Sequence, residues 1–107
     1  MADMSAEKKP PLPKRLKEAR TEADLSQKEL GIRAGFDEFA ASARMNQYET
    51  GKHSPDYQTL QKIAGVLKID PSFFYAQDDS LATVIKTYSR LNSRERTKVK
   101  SAFDRHL

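Results

Sequence analysis

Residues 25–52 read LSQKELGIRAGFDEFAASARMNQYETGK, and this stretch decides the fold. The run Ser26–Glu29 has the spacing of a capping box, in which each side chain accepts a hydrogen bond from the other residue's free amide. The helix that it opens is predicted over Ser26–Ala34 and stops at Gly35, since glycine readily takes the left-handed conformation found at helix ends. A second helix is predicted over Ala41–Thr50, again ended by a glycine. Two short helices joined by a glycine turn are typical of a helix-turn-helix.

Helical spacing of apolar residues continues on both sides of this pair, whereas the strict alternation typical of strands is not sustained anywhere. We therefore expect an all-α fold. The last two helices divide at Asn92, with Ser93 as the expected N-cap. Their apolar stripes are Leu81, Val84, Ile85, Tyr88 and Leu91 in one helix, and Val99, Ala102, Phe103 and Leu107 in the other. The remaining helices are predicted at Pro13–Ala23, at Asp56–Leu67 after Pro55, and at Asp70–Tyr75.

The apolar stripes define an expected core. Phe74 is expected to seal the short helix onto it, so the aromatic run around this residue indicates packing rather than base stacking. Phe36 and Phe39 are expected to anchor the turn between the paired helices to the body. The other expected core residues are Leu16, Leu25, Leu30, Ala34, Met45, Tyr48, Leu60, Ile63 and Leu67.

Composition excludes several function classes. With 107 residues there is room for one domain, and the absence of cysteine removes disulfides, thiolate zinc sites and cysteine nucleophiles. We expect neither an enzyme nor a cofactor, because no phosphate-binding glycine loop, nucleophile–base pair or metal cluster is recognisable. No apolar run approaches the roughly 20 residues of a membrane span, and the first 13 residues lack a signal-peptide stretch. The expected location is the cytoplasm, without a membrane partner.

The positive charge is concentrated at one end of the chain. Nineteen basic and fifteen acidic residues give a net charge of +4. Residues 86–107 hold seven basic and two acidic residues, 7 − 2 = +5, so the first 85 residues total 4 − 5 = −1. We favour a solvated helix face as the reason for this excess; the alternative is a surface that flanks DNA.

Several blocks around the paired helices resemble the lambda-repressor-like (Cro/C1-type, XRE) family of helix-turn-helix DNA-binding proteins. They are Leu25–Leu30, Ala34-Gly35, Met45–Lys52, Pro55 and Leu60–Ala64, and the resemblance covers about residues 14–76. Asp37–Ala40 departs from most members as an insertion of four residues. This longer turn, with two further helices behind it, is similar to the longer-type restriction–modification controller proteins.

The chain is predicted to divide into three parts, on the basis of its polar, proline-rich start, the resemblance in the middle, and the apolar stripes of the last two helices, which need to be covered. Residues 1–13 would form a disordered or extended arm, and residues 14–77 a five-helix DNA-binding domain. Residues 78–107 would be a helical dimerisation element, with Ile85, Tyr88, Val99, Phe103 and Leu107 at the interface. A homodimer places two recognition helices on the two halves of an inverted repeat.

The second helix of the pair is the expected recognition helix. At about 100° per residue, Ala41, Met45 and Tyr48 share one side, whereas small and amide side chains occupy the other. Amides can donate to and accept from an adenine edge, and alanine can contact a thymine methyl group. The expected base-reading residues are Ser42, Ala43, Arg44, Asn46 and Gln47, of which Ser42, Ala43 and Gln47 stand at the family's base-contact positions.

Other residues are expected to hold the phosphate backbone or the recognition helix. The resemblance implies a phosphate contact at Gln27 and a salt bridge between Arg20 and Glu49 that fixes the recognition helix. Lys28 is expected to add positive charge. The expected phosphate contacts are Gln27, Lys28, Thr50, Lys52, His53 and Ser54, although His53 reads equally well as an ordinary surface residue.

These features predict a sequence-specific transcriptional regulator that binds double-stranded DNA as a homodimer. It would repress by excluding RNA polymerase, with polymerase as a further partner if it also activates. The alternative is an antitoxin or adaptor that uses the same fold mainly to bind another protein. The two differ in whether the recognition helix reads DNA.

Overall fold

The computed structural model describes residues 9–107, so the first eight residues of the predicted arm lie outside it. The described chain is helical throughout and has no strand, which confirms the all-helical prediction. Its α-helices are α1 (Leu12–Glu22), α2 (Gln27–Arg33), α3 (Ala41–Thr50), α4 (Tyr57–Leu67), α5 (Asp79–Ser89) and α6 (Ser93–Asp104). The predicted short helix at 70–75 is a 3-10 helix, Pro71–Tyr75.

The helix-turn-helix has the predicted ends. Ser26 Oγ accepts a hydrogen bond from the Glu29 amide, and the Glu29 carboxylate accepts one from the Ser26 amide, both at 2.9 Å. Gly35 and Gly51 follow α2 and α3 with φ of 95° and 80°, the left-handed region that favours glycine. Local sequence therefore sets where both helices stop.

Helices α2 and α4 and the 3-10 helix begin one residue after the predicted Ser26, Asp56 and Asp70, because each of these residues is the N-cap. Two further helix starts differ from the prediction. Helix α1 begins at Leu12, before the predicted Pro13, because the buried Leu12 side chain packs into the core. The prediction of Ser93 as the cap of α6 is wrong. Asn92 is the N-cap, and it forms a second capping box with Glu95 through two hydrogen bonds of 2.9 Å.

The core contains the expected side chains of α1 to α4, with Leu25 only partly buried. Phe74 is fully buried and meets Phe73 edge to face at 5.1 Å between ring centroids. Phe36 is also buried, as expected of an anchor for the α2–α3 turn. The prediction for Phe39 is wrong, because this side chain is 91% exposed.

Helices α2 and α3 approach most closely at Gly31. A Cβ atom on this residue would lie 2.8 Å from the Cβ of Ala41 and 3.1 Å from a ring carbon of Phe36. No ordinary packing accommodates the shorter distance, so the crossing of the two helices requires glycine here. This close contact therefore fixes how α3 lies against α2, and with it the direction of the exposed face of α3.

Two polar clusters of α1 fix where α5 lies. The guanidinium of Arg15, a 3% exposed residue, donates to the carbonyl oxygens of Ala76 and Gln77 at 2.7 and 3.2 Å, and to Asp79 at 3.1 Å. The carboxylate of Glu22 accepts from Lys86 at 2.7 Å and from Arg90 at 3.2 Å. Helix α6 follows and has no buried residue of its own. None of the described helices is long and apolar enough to span a membrane.

Candidate nucleic-acid interface

The outward face of α3 carries small and amide side chains. Ser42, Ala43 and Asn46 are exposed and Gln47 is half-buried, whereas Ala41, Met45 and Tyr48 on the other side are buried. The helix is held by its buried side, so the exposed side chains are free to meet a ligand. An exposed row of this kind can enter a major groove, since none of its members is bulky or acidic.

Gln27, at the first turn of α2, is joined to this face. Its amide nitrogen donates to Oδ1 of Asn46 and to Oε1 of Glu49, each at 3.1 Å. Both of its amide hydrogens are thereby engaged, so a side-chain bond from Gln27 to a phosphate requires one of these two to be exchanged. Sequence reasoning missed the link between Gln27 and Asn46, because no local pattern pairs residues from different helices.

Arg20 and Glu49 form a bidentate ion pair between α1 and α3. Nε of Arg20 lies 2.5 Å from Oε2 of Glu49, and Nη2 lies 3.0 Å from Oε1. The remaining guanidinium nitrogen donates to the carbonyl oxygen of Leu25 at 2.8 Å. The hydrogen bond with Glu49 raises the pKa of Arg20 above its already high ordinary value. Glu49 therefore holds both Arg20 and Gln27, and through them it positions α3 on its neighbours.

Arg44 lies on the flank of α3, and its guanidinium contacts two aromatic side chains. Its guanidinium carbon is 4.1 Å from the ring centroid of Phe36, and Nη2 donates to the Tyr48 hydroxyl at 2.9 Å. A base contact by Arg44 would have to break these interactions. The structure thus separates Arg44 from Ser42, Ala43, Asn46 and Gln47, with which the sequence had grouped it.

The loop after α3 places its expected phosphate contacts at the surface. The backbone amide of His53 donates to the Gln47 carbonyl at 3.2 Å, and the Thr50 hydroxyl donates to the same oxygen at 3.3 Å. Lys52, His53 and Ser54 are exposed, as is Lys28 on α2. The loop is thus tied back to α3 by its backbone while its side chains face solvent.

Three of the basic residues near the C-terminus have structural partners. Lys86 and Arg90 bind Glu22, and their hydrogen bonds, that of Lys86 above all, lower the pKa of this carboxyl. Arg96 donates to the carbonyl oxygens of Tyr88 and Ser89 and stacks 4.9 Å from the Tyr88 ring centroid. Much of the charge excess therefore serves to join α1, α5 and α6.

Helices α5 and α6 enclose an apolar groove with the end of α4. Its volume is about 760 Å³, and Ile69, Val84, Ile85, Val99 and Phe103 are among its lining residues. Phe103 is 60% exposed and Leu107 fully exposed, whereas Ile85 packs partly against the core. The structure thus gathers Ile85, Tyr88, Val99 and Phe103 around the groove, with Leu107 at the free end of the chain beyond α6. Within residues 9–107, no group of three or more His, Asp or Glu side chains is arranged to hold a metal ion.

No protein-family model matches the chain, and no curated relative matches it. Among solved structures, it is similar to that of the transcriptional regulator BswR, with a TM-score of 0.81 and 41% sequence identity. The match covers 88% of this chain and 93% of that one. The chain belongs to the BswR family. The similarity extends over nearly the whole of both chains.

Proposed function

We propose that this member of the BswR family is a sequence-specific DNA-binding regulator of transcription with a lambda-repressor-like (XRE, Cro/C1-type) helix-turn-helix. The observation that carries the proposal is the exposed face of α3, whose small and amide side chains are held in place by the buried side of the same helix. Similarity to a transcriptional regulator over most of both chains supports it independently.

In this proposal the base readers are Ser42, Ala43, Asn46 and Gln47. The bond from Gln27 orients the Asn46 amide before DNA arrives, which reduces the conformational entropy lost on binding. Arg44 reaches a guanine or a phosphate only when its guanidinium leaves the ring of Phe36. We assign the backbone phosphates to the α2 residues Gln27 and Lys28, to Thr50 at the end of α3, and to the loop residues Lys52, His53 and Ser54.

A single helix of this length reads few base pairs, so we propose that the protein binds an inverted repeat as a homodimer. The apolar groove between α5 and α6 supports this, since exposed Val84, Phe103 and Leu107 have no cover within residues 9–107. The dimer would act in the cytoplasm as a repressor or autoregulator by excluding RNA polymerase. The controller-protein subtype is proposed on the longer turn and the two further helices behind it.

The test is selection of bound sequences from a random DNA pool, followed by affinity measurements at several salt concentrations. The double substitution N46A/Q47A is expected to abolish sequence preference, because it removes both amides from the reading face. The protein should retain salt-dependent, nonspecific affinity, since the phosphate contacts remain. Gln61→Ala, which removes an exposed amide from α4 instead, is the matched control and should leave the selected motif unchanged.

The alternative function, an antitoxin or adaptor that binds another protein, is favoured by the same uncovered apolar groove. It predicts that the wild-type protein shows no salt-dependent affinity for DNA. That result would reject the regulator proposal, whereas an enriched symmetric motif would reject the adaptor as the main function.

A further inference from the structure

Phe39 is the most exposed aromatic side chain of the described residues, at 91% of its surface. It lies in the turn between α2 and α3, immediately before the proposed recognition helix. A phenyl ring in water is unfavourable by the hydrophobic effect, and the neighbouring Phe36 shows that the same turn can bury an aromatic residue. The turn therefore presents one ring to solvent while it buries the other.

The turn that presents Phe39 is held by several contacts. Oδ2 of Asp37 accepts a hydrogen bond from the Phe39 amide, and the Asp37 carbonyl accepts one from the Ala40 amide, both at 3.0 Å. Phe36 is fixed beneath the Arg44 guanidinium and meets Tyr48 edge to face at 6.2 Å. The exposed ring is thus carried by an ordered segment of backbone.

The turn leads directly into α3, so helical geometry continued backwards through Ala40 would bring Phe39 to the reading side. Ala40 has helical dihedral angles, φ −105° and ψ −14°, and its carbonyl accepts from the Arg44 amide at 2.9 Å. Extending the helix backwards at about 100° per residue puts Phe39 about 20° from Asn46 and about 40° from Ala43. The same count places it opposite Tyr48, which is buried.

We propose that Phe39 is a base-reading residue that packs against thymine C5-methyl groups in the major groove. This inference rests on the proposed function and extends it. Phe39 precedes Ala43 by four residues, about 6 Å along the helix axis, compared with a base-pair rise of about 3.4 Å. It therefore contacts the groove one or two base pairs beyond those reached by Ala43. The ring cannot form a hydrogen bond, and the thymine methyl is the apolar group that the major groove offers.

The experiment compares wild type with Phe39→Ala on the operator selected from a random pool. Each fixed thymine is replaced in turn by uracil, which differs only by the missing methyl group. Wild type should lose about fourfold in affinity per half-site at one such position, the effect of burying one methyl group. Phe39→Ala should lose at least as much on thymine DNA and should be indifferent to uracil at that position.

Tyr75→Ala is the matched control, because this ring is 45% exposed at the end of the 3-10 helix, away from α3 in the chain. It should bind thymine and uracil DNA as wild type does. Phe39→Ala should melt like wild type, since the side chain that it removes is 91% exposed. A melting comparison therefore separates loss of a base contact from loss of folding.

The possible failures are distinguishable. If wild type selects no motif, the proposed function is rejected and the role of Phe39 with it. If wild type selects a motif but Phe39→Ala selects the same one with the same uracil sensitivity, the role of Phe39 alone is rejected. A motif without a thymine at the position beyond the α3 contacts would also reject it.

Discussion

Among single residues, Glu49 makes the contacts on which the position of α3 depends. Its carboxylate binds Arg20 and Gln27, and its side chain is only 3% exposed. Glu49→Ala leaves the Arg20 guanidinium partly buried without its partner, so the free energy of unfolding should fall by about 3–5 kcal/mol. Urea denaturation measures this loss.

Glu18→Ala is the control for Glu49→Ala. Glu18 forms a 3.9 Å pair with Lys14 in which both side chains are more than half exposed. Solvent-exposed pairs at this spacing contribute about 0.3–0.5 kcal/mol. Similar losses in the two variants would contradict a structural role for Glu49.

Gly31 lies where α2 and α3 pack most closely, so substitution there tests this packing. Gly31→Ala places a Cβ 2.8 Å from that of Ala41 and should cost about 1–3 kcal/mol, since two helices must move apart. Gly65→Ala is its control, because a Cβ at Gly65 has open space and α4 gains a better helix former. Thermal unfolding should show a lower melting temperature for Gly31→Ala and an unchanged or higher one for Gly65→Ala. The reverse order would contradict the packing argument.

These residues also differ in how well the sequence predicts their contacts. The capping box and both glycine stops depend on local chemistry, so sequence predicts them well. The Arg20–Glu49 contact came from a family resemblance, not from spacing. Phe39 was predicted wrongly because an aromatic residue in a turn says nothing about the direction in which the turn presents it. Gly31 could have been suspected, since a glycine inside a helical pattern often marks close packing.

Among the helices, α1 holds the start of α5 through Arg15. The guanidinium satisfies two carbonyl oxygens of the segment that enters α5, and its carbon lies 5.7 Å from the Phe73 ring centroid. Arg15→Met preserves much of the side-chain volume but leaves the buried carbonyl of Ala76 without a donor. We expect a loss of about 2–3 kcal/mol. Amide hydrogen exchange should accelerate first at the start of α5.

Lys14→Met is the corresponding control, because Lys14 is exposed on the same helix. Its effect should stay within about 0.5 kcal/mol, as for most surface substitutions. Uniform acceleration across all helices in Arg15→Met would contradict a local clamp. Sequence did not indicate this clamp, because an arginine on an amphipathic helix normally lies at the surface. Here its charge is buried only because the chain returns to it sixty residues later.

For the molecule as a whole, acid should weaken the attachment of α5 to α1. Hydrogen bonds from Lys86 and Arg90 hold the pKa of Glu22 below its ordinary 4.5. A carboxyl with a lowered folded-state pKa stabilises the fold above its unfolded pKa, and this contribution is lost as pH falls through the folded value. Stability should therefore decline from about pH 4.5 downwards.

Glu22→Gln tests the source of this decline. The variant should be less stable than wild type at neutral pH, and the difference should shrink as pH falls below 4.5, since wild type then loses the same charge. Chemical denaturation at a series of pH values measures the difference. A gap that stays constant down to the acid limit would contradict the assignment to Glu22.

For the whole molecule, intramolecular contacts account for part of the uneven charge distribution. The C-terminal excess of basic residues is partly consumed by Glu22 and by the carbonyl oxygens that Arg96 contacts. The proposed reading face, in contrast, is made of uncharged side chains on α3. Net charge thus gave little guidance to the candidate site, because affinity for phosphates and recognition of bases depend on different groups.

Helices α5 and α6 expose an apolar surface that a second copy of the chain could cover. Phe103 is 60% exposed beside the groove that Val84, Ile85 and Val99 line, and α6 buries none of its residues within one copy. If a second copy covers this surface, Phe103→Ser should convert a dimer to a monomer in sedimentation experiments. The fold should survive in the monomer, because the substituted ring is mostly exposed. Affinity for an inverted repeat should fall towards that of a single half-site, since two reading helices no longer bind as one unit.

Tyr75→Ser, at an exposed ring of the 3-10 helix, is the control for Phe103→Ser and should remain dimeric. A wild-type protein that sediments as a monomer at the concentrations that bind DNA would reject the dimer and leave the groove for a different partner.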